Sequence, residues 1–385
     1  MPSGRSSSSD SCKVAFVGVV NRQFCELYPG GPACSVQFYD PEDQPGRVVP
    51  YVREGPGRVL PPFRTPPSGW LEERLRELEP DSIVPTSEFA VEPAHRVARR
   101  LGAEFLGNPP GVVRRAGDKW ELYRRLSDLV PMPETSRDPG EVPGRVIVEK
   151  PVSGAGGVGV RRVERERAEP RPGVIFQRLL KGRHVSALFL SDGSDAVLLS
   201  VNDQLVDLDG DGYAYRGNLV PSPFHLVPRV RRQLERVCRV VTEELGLVGL
   251  NGVDGVLEGD TFYLVEVNPR PTAATECLAR VADVNPMTVH SSACRGELRL
   301  KRVRVRGWAC KRVVYAPGTV RAGRLSRARD RVRPGTIVPG GEPVCTVVAC
   351  SSTPSAALRL TEREERWVLR RLEPVSSTPP TEGWY

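Results

Sequence analysis

The sequence is poor in the residues that build metal clusters and covalent catalytic sites. Its 385 residues include 4 histidines and 9 cysteines, with no Cys-x-x-Cys pair anywhere. That spacing excludes a zinc-type site, and the scattered thiols read as free cysteines of a reducing compartment. No Gly-x-Ser-x-Gly elbow or Cys/His signature is present, which disfavours a protein nucleophile. No run approaches the roughly 20 apolar residues that a spanning helix needs, because Arg, Asp or Pro interrupts each one. Residues 1–11 carry a Ser run and one Arg but no apolar segment, so they read as a loose tail and not as a secretory signal. These absences predict a cytoplasmic protein with no membrane contact.

Lysine is also scarce, occurring only at 13, 119, 150, 181, 301 and 311, so a lysine inside a motif is informative. The formal charge of +8 comes from arginines spread among many carboxylates. No basic stripe interleaved with aromatics is found, which argues against a nucleic-acid partner; an anionic small molecule accounts for the charge as well.

What is there is α/β in character. KVAFVGVV (13–20) and SVQFYD (35–40) read as buried parallel strands. Leu71–Leu78 and Glu92–Leu101 follow as amphipathic helices, closing a first unit near Gly107. Asp118 can cap a helix that begins at Lys119 and is stopped by Pro131. RVIVEK, the glycine loop SGAGGVG (153–159) and VGVRRV then read as a β-hairpin, and VIFQRLLKGRHVSALFL as a further strand pair. Past a Gly/Asp/Asn-rich stretch (207–218), a helix spans about Arg229–Leu245. GLNGVDGVLEGDTFYLVEVNPR then forms two strands around a Gly259-Asp260 turn. Beyond Leu298 short β-like runs suggest a small β-rich unit ending in a Pro/Ser tail. The expected division is therefore 1–107, 108–298 and 299–385.

The sharpest chemical signal is Asp254, Glu266 and Asn268. The hairpin brings the two strands together, and Glu266 and Asn268 share a face by the period of two. Two carboxylates and an amide oxygen suit Mg²⁺ completed by phosphate oxygens, with Mn²⁺ able to use the same ligands. The bland alternative is a pair of solvated hairpin carboxylates. Arg270 could grip a transferring phosphoryl group or an oxyanion, or simply pair with Glu266. SGAGGVG also fits Gly-x-Gly-x-x-Gly, but a dinucleotide fold needs a helix straight after it, whereas VGVRRV alternates like a strand. A phosphate-covering hairpin with Lys150 beside it is the preferred reading.

The order of Asp118-Lys119, EKP with SGAGGVG, FQRLLKGRHVSALFL and GVDGVLEGDTFYLVEVNPR closely resembles the ATP-grasp superfamily over about Asn108 to Leu298. VNDQLV, YRGNLVPSP and NPRPTAATE look like its predicted archaeal and bacterial carboligases. The resemblance implies an α/β and α+β fold. An open N-terminal α/β domain would precede a two-subdomain module that clamps ATP, followed by a small β-rich domain. It implies phosphate contacts from Lys119, Lys150 and the loop residues Ser153, Gly154, Gly156 and Gly157. It also implies an adenine hinge at Gln177–Leu180, read by main-chain groups of Arg178 and Leu180. Two Mg²⁺ would sit on Asp254, Glu266 and Asn268, and Arg270 would act on the acyl phosphate. His184 stands where the superfamily often has an acidic ribose ligand, which puts that contact in doubt. Ser87 and Glu88 are candidate substrate residues of the first domain. The implied activity is an ATP-dependent carboxylate–amine ligase acting on small molecules, with an ATP-grasp carboxylase, a thioester-forming ligase or a non-catalytic nucleotide-binding regulator as alternatives. Nothing in the sequence sets an oligomeric state, and a homo-oligomer is compatible with it.

Overall fold

The computed structural model describes residues 13–18, 24, 27–28, 33–37, 69–154, 157, 159–209 and 212–375. The tail expected at 1–11, the last residues of the second predicted strand and Gly156 lie outside them. Four parallel strands, β1 (Val14–Gly18), β2 (Ala33–Gln37), β3 (Ser82–Pro85) and β4 (Glu104–Phe105), form a sheet of order β2-β1-β3-β4. β1 is buried on both faces, which its unbroken apolar run requires. Ala15 and Val17 pack on helices α1 (Trp70–Leu78) and α2 (Glu88–Leu101) through Leu75, Ala90 and Ala94. Val14 and Phe16, one residue out of phase, join a different core with Leu250, Ala274 and Leu278. That second face docks the first sheet on the rest of the molecule and brings the start of α2 to the site.

After α3 (Pro110–Gly117), Asp118 caps α4 (Lys119–Leu126) by accepting from the Trp120 and Glu121 amides at 3.0 and 2.9 Å. The Lys119 amide donates to Val152 O at 2.9 Å, tying this helix to the glycine loop.

Eleven strands make the main sheet. Its first part holds β5 (Thr135–Ser136), β6 (Val146–Pro151), β7 (Arg161–Glu164) and β8 (Val174–Arg178), with β6 and β7 the predicted hairpin. The second part holds β9 (Arg183–Asp192), β10 (Ala196–Asp209), β11 (Gly212–Val220), then helix α5 (Pro228–Leu245), β12 (Val248–Glu258) and β13 (Thr261–Asn268). The order is β13-β12-β9-β10-β11-β7-β6-β8-β5, and among the described residues the two parts pair at Gly212 with Arg161. In the Gly/Asp/Asn-rich stretch, 207–209 belong to β10 and 212–218 to β11, and the two strands pair with each other. Helix α5 covers the back of the second part with Val230, Leu234, Val237, Val241 and Leu245, a stripe at helical spacing. Full burial of each such side chain is worth about 1.5–3 kcal/mol, and Leu234→Ala would cost about 2–5 kcal/mol.

Helices α6 (Ala274–Val281) and α7 (Pro286–Cys294) follow, and β14 (Trp308–Tyr315) then pairs with β11 and with β17 (Pro343–Ser351), so the main sheet continues past residue 298. A small sheet joins β15 (Val320–Ala322), β16 (Ile337–Val338) and β18 (Leu372–Pro374). Beside it runs a helix, α8 (Pro354–Leu369), that the β-like runs of this region do not announce. Thr353 caps it, and Pro354 sits at its first turn, where a missing amide is tolerated. Among the described residues the cysteines are free thiols, and no helix is long and apolar enough to cross a membrane.

Candidate active site

The glycine hairpin and the two parts of the main sheet enclose a cleft of about 350 Å³. Every predicted site residue within the described set lines it: Lys119, Lys150, Ser153, Gly154, Gly157, Gln177, Arg178, Leu180, His184, Asp254, Glu266, Asn268 and Arg270. Of the two residues proposed from the first domain, Ser87 is buried against Gly18, while Glu88 reaches Arg270.

Lys119 and Lys150 are both buried and have only neutral partners. Lys119 donates to Gly154 O at 2.8 Å, and Lys150 donates to Gln177 Oε1 at 2.7 Å. Burial, then the charge of Lys119, pulls the Lys150 pKa down to about 7, with Glu266 opposing. Gln177 is held in turn by Thr135 Oγ1 at 2.8 Å, so its side chain orients a lysine. At the hinge, the Arg178 amide is already spent on Glu134 O at 2.9 Å, and its guanidinium on Glu134 and Glu258 at 2.6 and 2.9 Å. Among the described residues, Leu180 has no backbone partner of its own and offers the open main-chain groups. His184 stands edge-on to Tyr213 at 5.9 Å, and burial lowers its pKa, favouring a neutral ring.

At the other end Asp254 and Glu266 are cross-strand partners on β12 and β13, next to a bulge at Asp254/Gly255. Burial, then repulsion by Glu266, pushes the Asp254 pKa up to about 7. Asn268 donates to Asp254 Oδ2 at 2.9 Å and accepts from Arg270 at 3.3 Å. Arg270 also pairs with Glu88 Oε2 at 2.7 Å, at the first turn of α2. The sequence reading missed Gln204, Tyr215, Asn218 and Thr272, which line this end. The motifs VNDQLV, YRGNLVPSP and NPRPTAATE contain them, but the sequence reading gave them no individual role.

A model of the ATP-grasp domain matches residues 116–274. Formate-dependent phosphoribosylglycinamide formyltransferase of Marinobacter nauticus is 26% identical over 234 residues, 57% of this chain and 55% of that protein. The chain thus spans little more than half of this curated relative. The biotin carboxylase domain of Hydrogenobacter thermophilus 2-oxoglutarate carboxylase superposes with TM-score 0.70 at 16% identity, covering 94% of this chain and 90% of that one. L-amino acid ligase of Bacillus licheniformis gives 0.65 at 16% identity, covering 96% of this chain and 100% of its own. These likenesses establish the fold.

Proposed function

We propose that this chain is an ATP-dependent ligase that phosphorylates a carboxylate to an acyl phosphate and passes the acyl group to an amine, releasing ADP and phosphate. The observation that carries this reading is one cleft holding two buried lysines at one end and two carboxylates, an amide and an arginine at the other. The lysines have no ion pair among the described residues, so their charge calls for an anion such as the phosphates of ATP. Asp254 and Glu266 face each other across the strands, and burial, then Glu266, raises the Asp254 pKa, which fits a divalent ion held by the pair. Asp254, Glu266 and Asn268 would hold two Mg²⁺, or Mn²⁺ in their place, and the metal would supply charge neutralisation at the phosphates.

The chain's own residues then position the reactants. Lys119 and Lys150 fix phosphate oxygens, and backbone amides of the Ser153–Gly157 loop close over them. Leu180, with the carbonyl side of Arg178, reads the adenine edge. Arg270 stabilises the reacting acyl phosphate, where charge develops. A carboxylate is a poor electrophile, and phosphorylation gives it a leaving group; positioning does the remainder, without a protein nucleophile. The reading carries with it a cytoplasmic protein acting on small molecules, alone or as a homo-oligomer. It also carries the division at 107/108 and 298/299, with the last unit joined edge-on through β14. The relative named for formate and the fold neighbour named for amino acids make formate and amino acids first members of a substrate panel. The test is ADP and phosphate release from Mg-ATP across pooled carboxylates and amines, with Glu266→Ala as the blank. Substrate-dependent release absent from the blank supports the ligase; nucleotide binding without turnover in any pool argues for a regulator.

A further inference from the structure

The cleft that Arg270 lines also contains a hydrogen-bond donor with no acceptor among the described residues. Tyr215, on β11, lines the cleft, and its hydroxyl oxygen accepts from Asn218 Nδ2 at 2.6 Å. Among the described residues nothing takes the phenol proton. A buried donor left open is costly unless a ligand satisfies it. Burial also pushes the Tyr215 pKa well above its ordinary value, so the proton stays on the oxygen.

The residue is fixed from behind. Its backbone carbonyl accepts from the Tyr315 hydroxyl at 2.8 Å, and the Tyr315 ring is covered by Arg216 at 4.7 Å. Asn218 sits opposite Lys311 in the pairing of β11 with β14. Lys311 in turn is locked at 2.8 Å to Glu276, on the helix that follows the Arg270 loop. The segment after residue 298 therefore braces both Tyr215 and the loop carrying Arg270. Gln204 and Thr272 complete this wall with neutral polar groups. With the Arg270 guanidinium lining the same cleft, an open hydroxyl donor beside Gln204 and Thr272 suits an anionic oxygen group.

We propose that Tyr215, oriented by Asn218, donates its hydroxyl hydrogen bond to the carboxylate of the substrate, which Arg270 holds by charge. This assignment rests on the ligase reading for the identity of the ligand, and its test separates the two. In Tyr215→Phe, kcat/KM for the carboxylate falls about ten- to a hundredfold, the value of one hydrogen bond to a charged group, while the Kd for Mg-ADP stays within twofold. Asn218→Asp, nearly equal in size, captures the phenol proton and reproduces the loss. A measurement independent of turnover places 3-fluorotyrosine at 215 and follows its ¹⁹F shift as formate, acetate or glycine is added with Mg-ADP. A shift without carboxylate-dependent ADP release supports the subsite and sinks the ligase. Carboxylate-dependent release that Tyr215→Phe leaves unchanged sustains the ligase and overturns the role of Tyr215, as does the absence of any ¹⁹F shift.

Discussion

The two ends of the cleft are built on opposite principles. At the hairpin end, Lys119 and Lys150 are buried cations whose partners are a carbonyl and an amide. At the β12–β13 end, Asp254, Glu266, Asn268, Arg270 and Glu88 form a crowded set in which charges of both signs already touch. One end is short of an anion; the other is short of a cation. A bound metal–triphosphate would satisfy both at once, and this explains why neither end shows strain relief of its own. The difference predicts that substitutions at the charged end strike turnover, and those at the hairpin end strike nucleotide affinity.

The largest effect is expected for Glu266→Ala. Losing a ligand of the proposed metals removes several kcal/mol of charge stabilisation, so turnover drops on the order of a thousandfold or more while the fold persists. Full activity in this variant would sink the metal assignment. Arg270→Ala comes next, with kcat lower by about 10²–10³, the usual loss on removing a preorganised donor to developing charge. Its nucleotide affinity stays near that of the parent, which equilibrium dialysis with ADP would check. A tenfold loss of ADP affinity would erase the contrast between the ends.

Lys150→Met tests the hairpin end and should weaken ATP binding about ten- to a hundredfold with a smaller effect on kcat. The parent carries a pH signature here. Burial, then Lys119, holds the Lys150 pKa near 7, below its ordinary value of 10.5, so a phosphate bound beside it must return a proton to it. ATP affinity measured in EDTA therefore falls as pH rises above about 7, and binding takes up a proton. Stability runs the other way: the unfolded chain binds the extra proton between about 7 and 10.5, so the empty protein gains stability as pH rises through that window. Calorimetry in buffers of different ionisation enthalpy reads the uptake, and Lys150→Met should abolish it.

Much of this was legible because the informative residues sit on regular strands. Glu266 and Asn268 share a face by the period of two, and the bulge at Asp254/Gly255 brings Asp254 opposite Glu266, where the Gly259-Asp260 turn alone would pair it with Val265. The cap at Asp118 was equally plain. Tyr215, Asn218 and Gln204 received no individual role because glycine and aspartate dominate the stretch between them, while β10 and β11 pair with each other from Asp203 and Leu219 to Asp209 and Gly212. Tertiary pairing overrides weak strand propensity in this way. Glu134 spending the Arg178 amide, and Gln177 turning to a lysine, depend on contacts between residues 27 to 44 apart, which no local pattern encodes.

Gln177→Leu should give the smallest effect and the sharpest reading of the comparison. Gln177 lines the cleft and accepts from the Lys150 ammonium, while its own amide donates to Thr135 Oγ1. Leucine keeps the volume but removes the one acceptor, so the buried ammonium is harder to hold charged. The Lys150 pKa should then move further down, and the pH at which ATP affinity begins to fall should move with it. At pH 8 affinity should drop only a few-fold, since phosphate itself restores most of the charge, and kcat at saturating ATP should not change. A lost kcat with an unmoved pH midpoint would mean that Gln177 acts on the reacting end directly, and the division of labour between the two ends would fail.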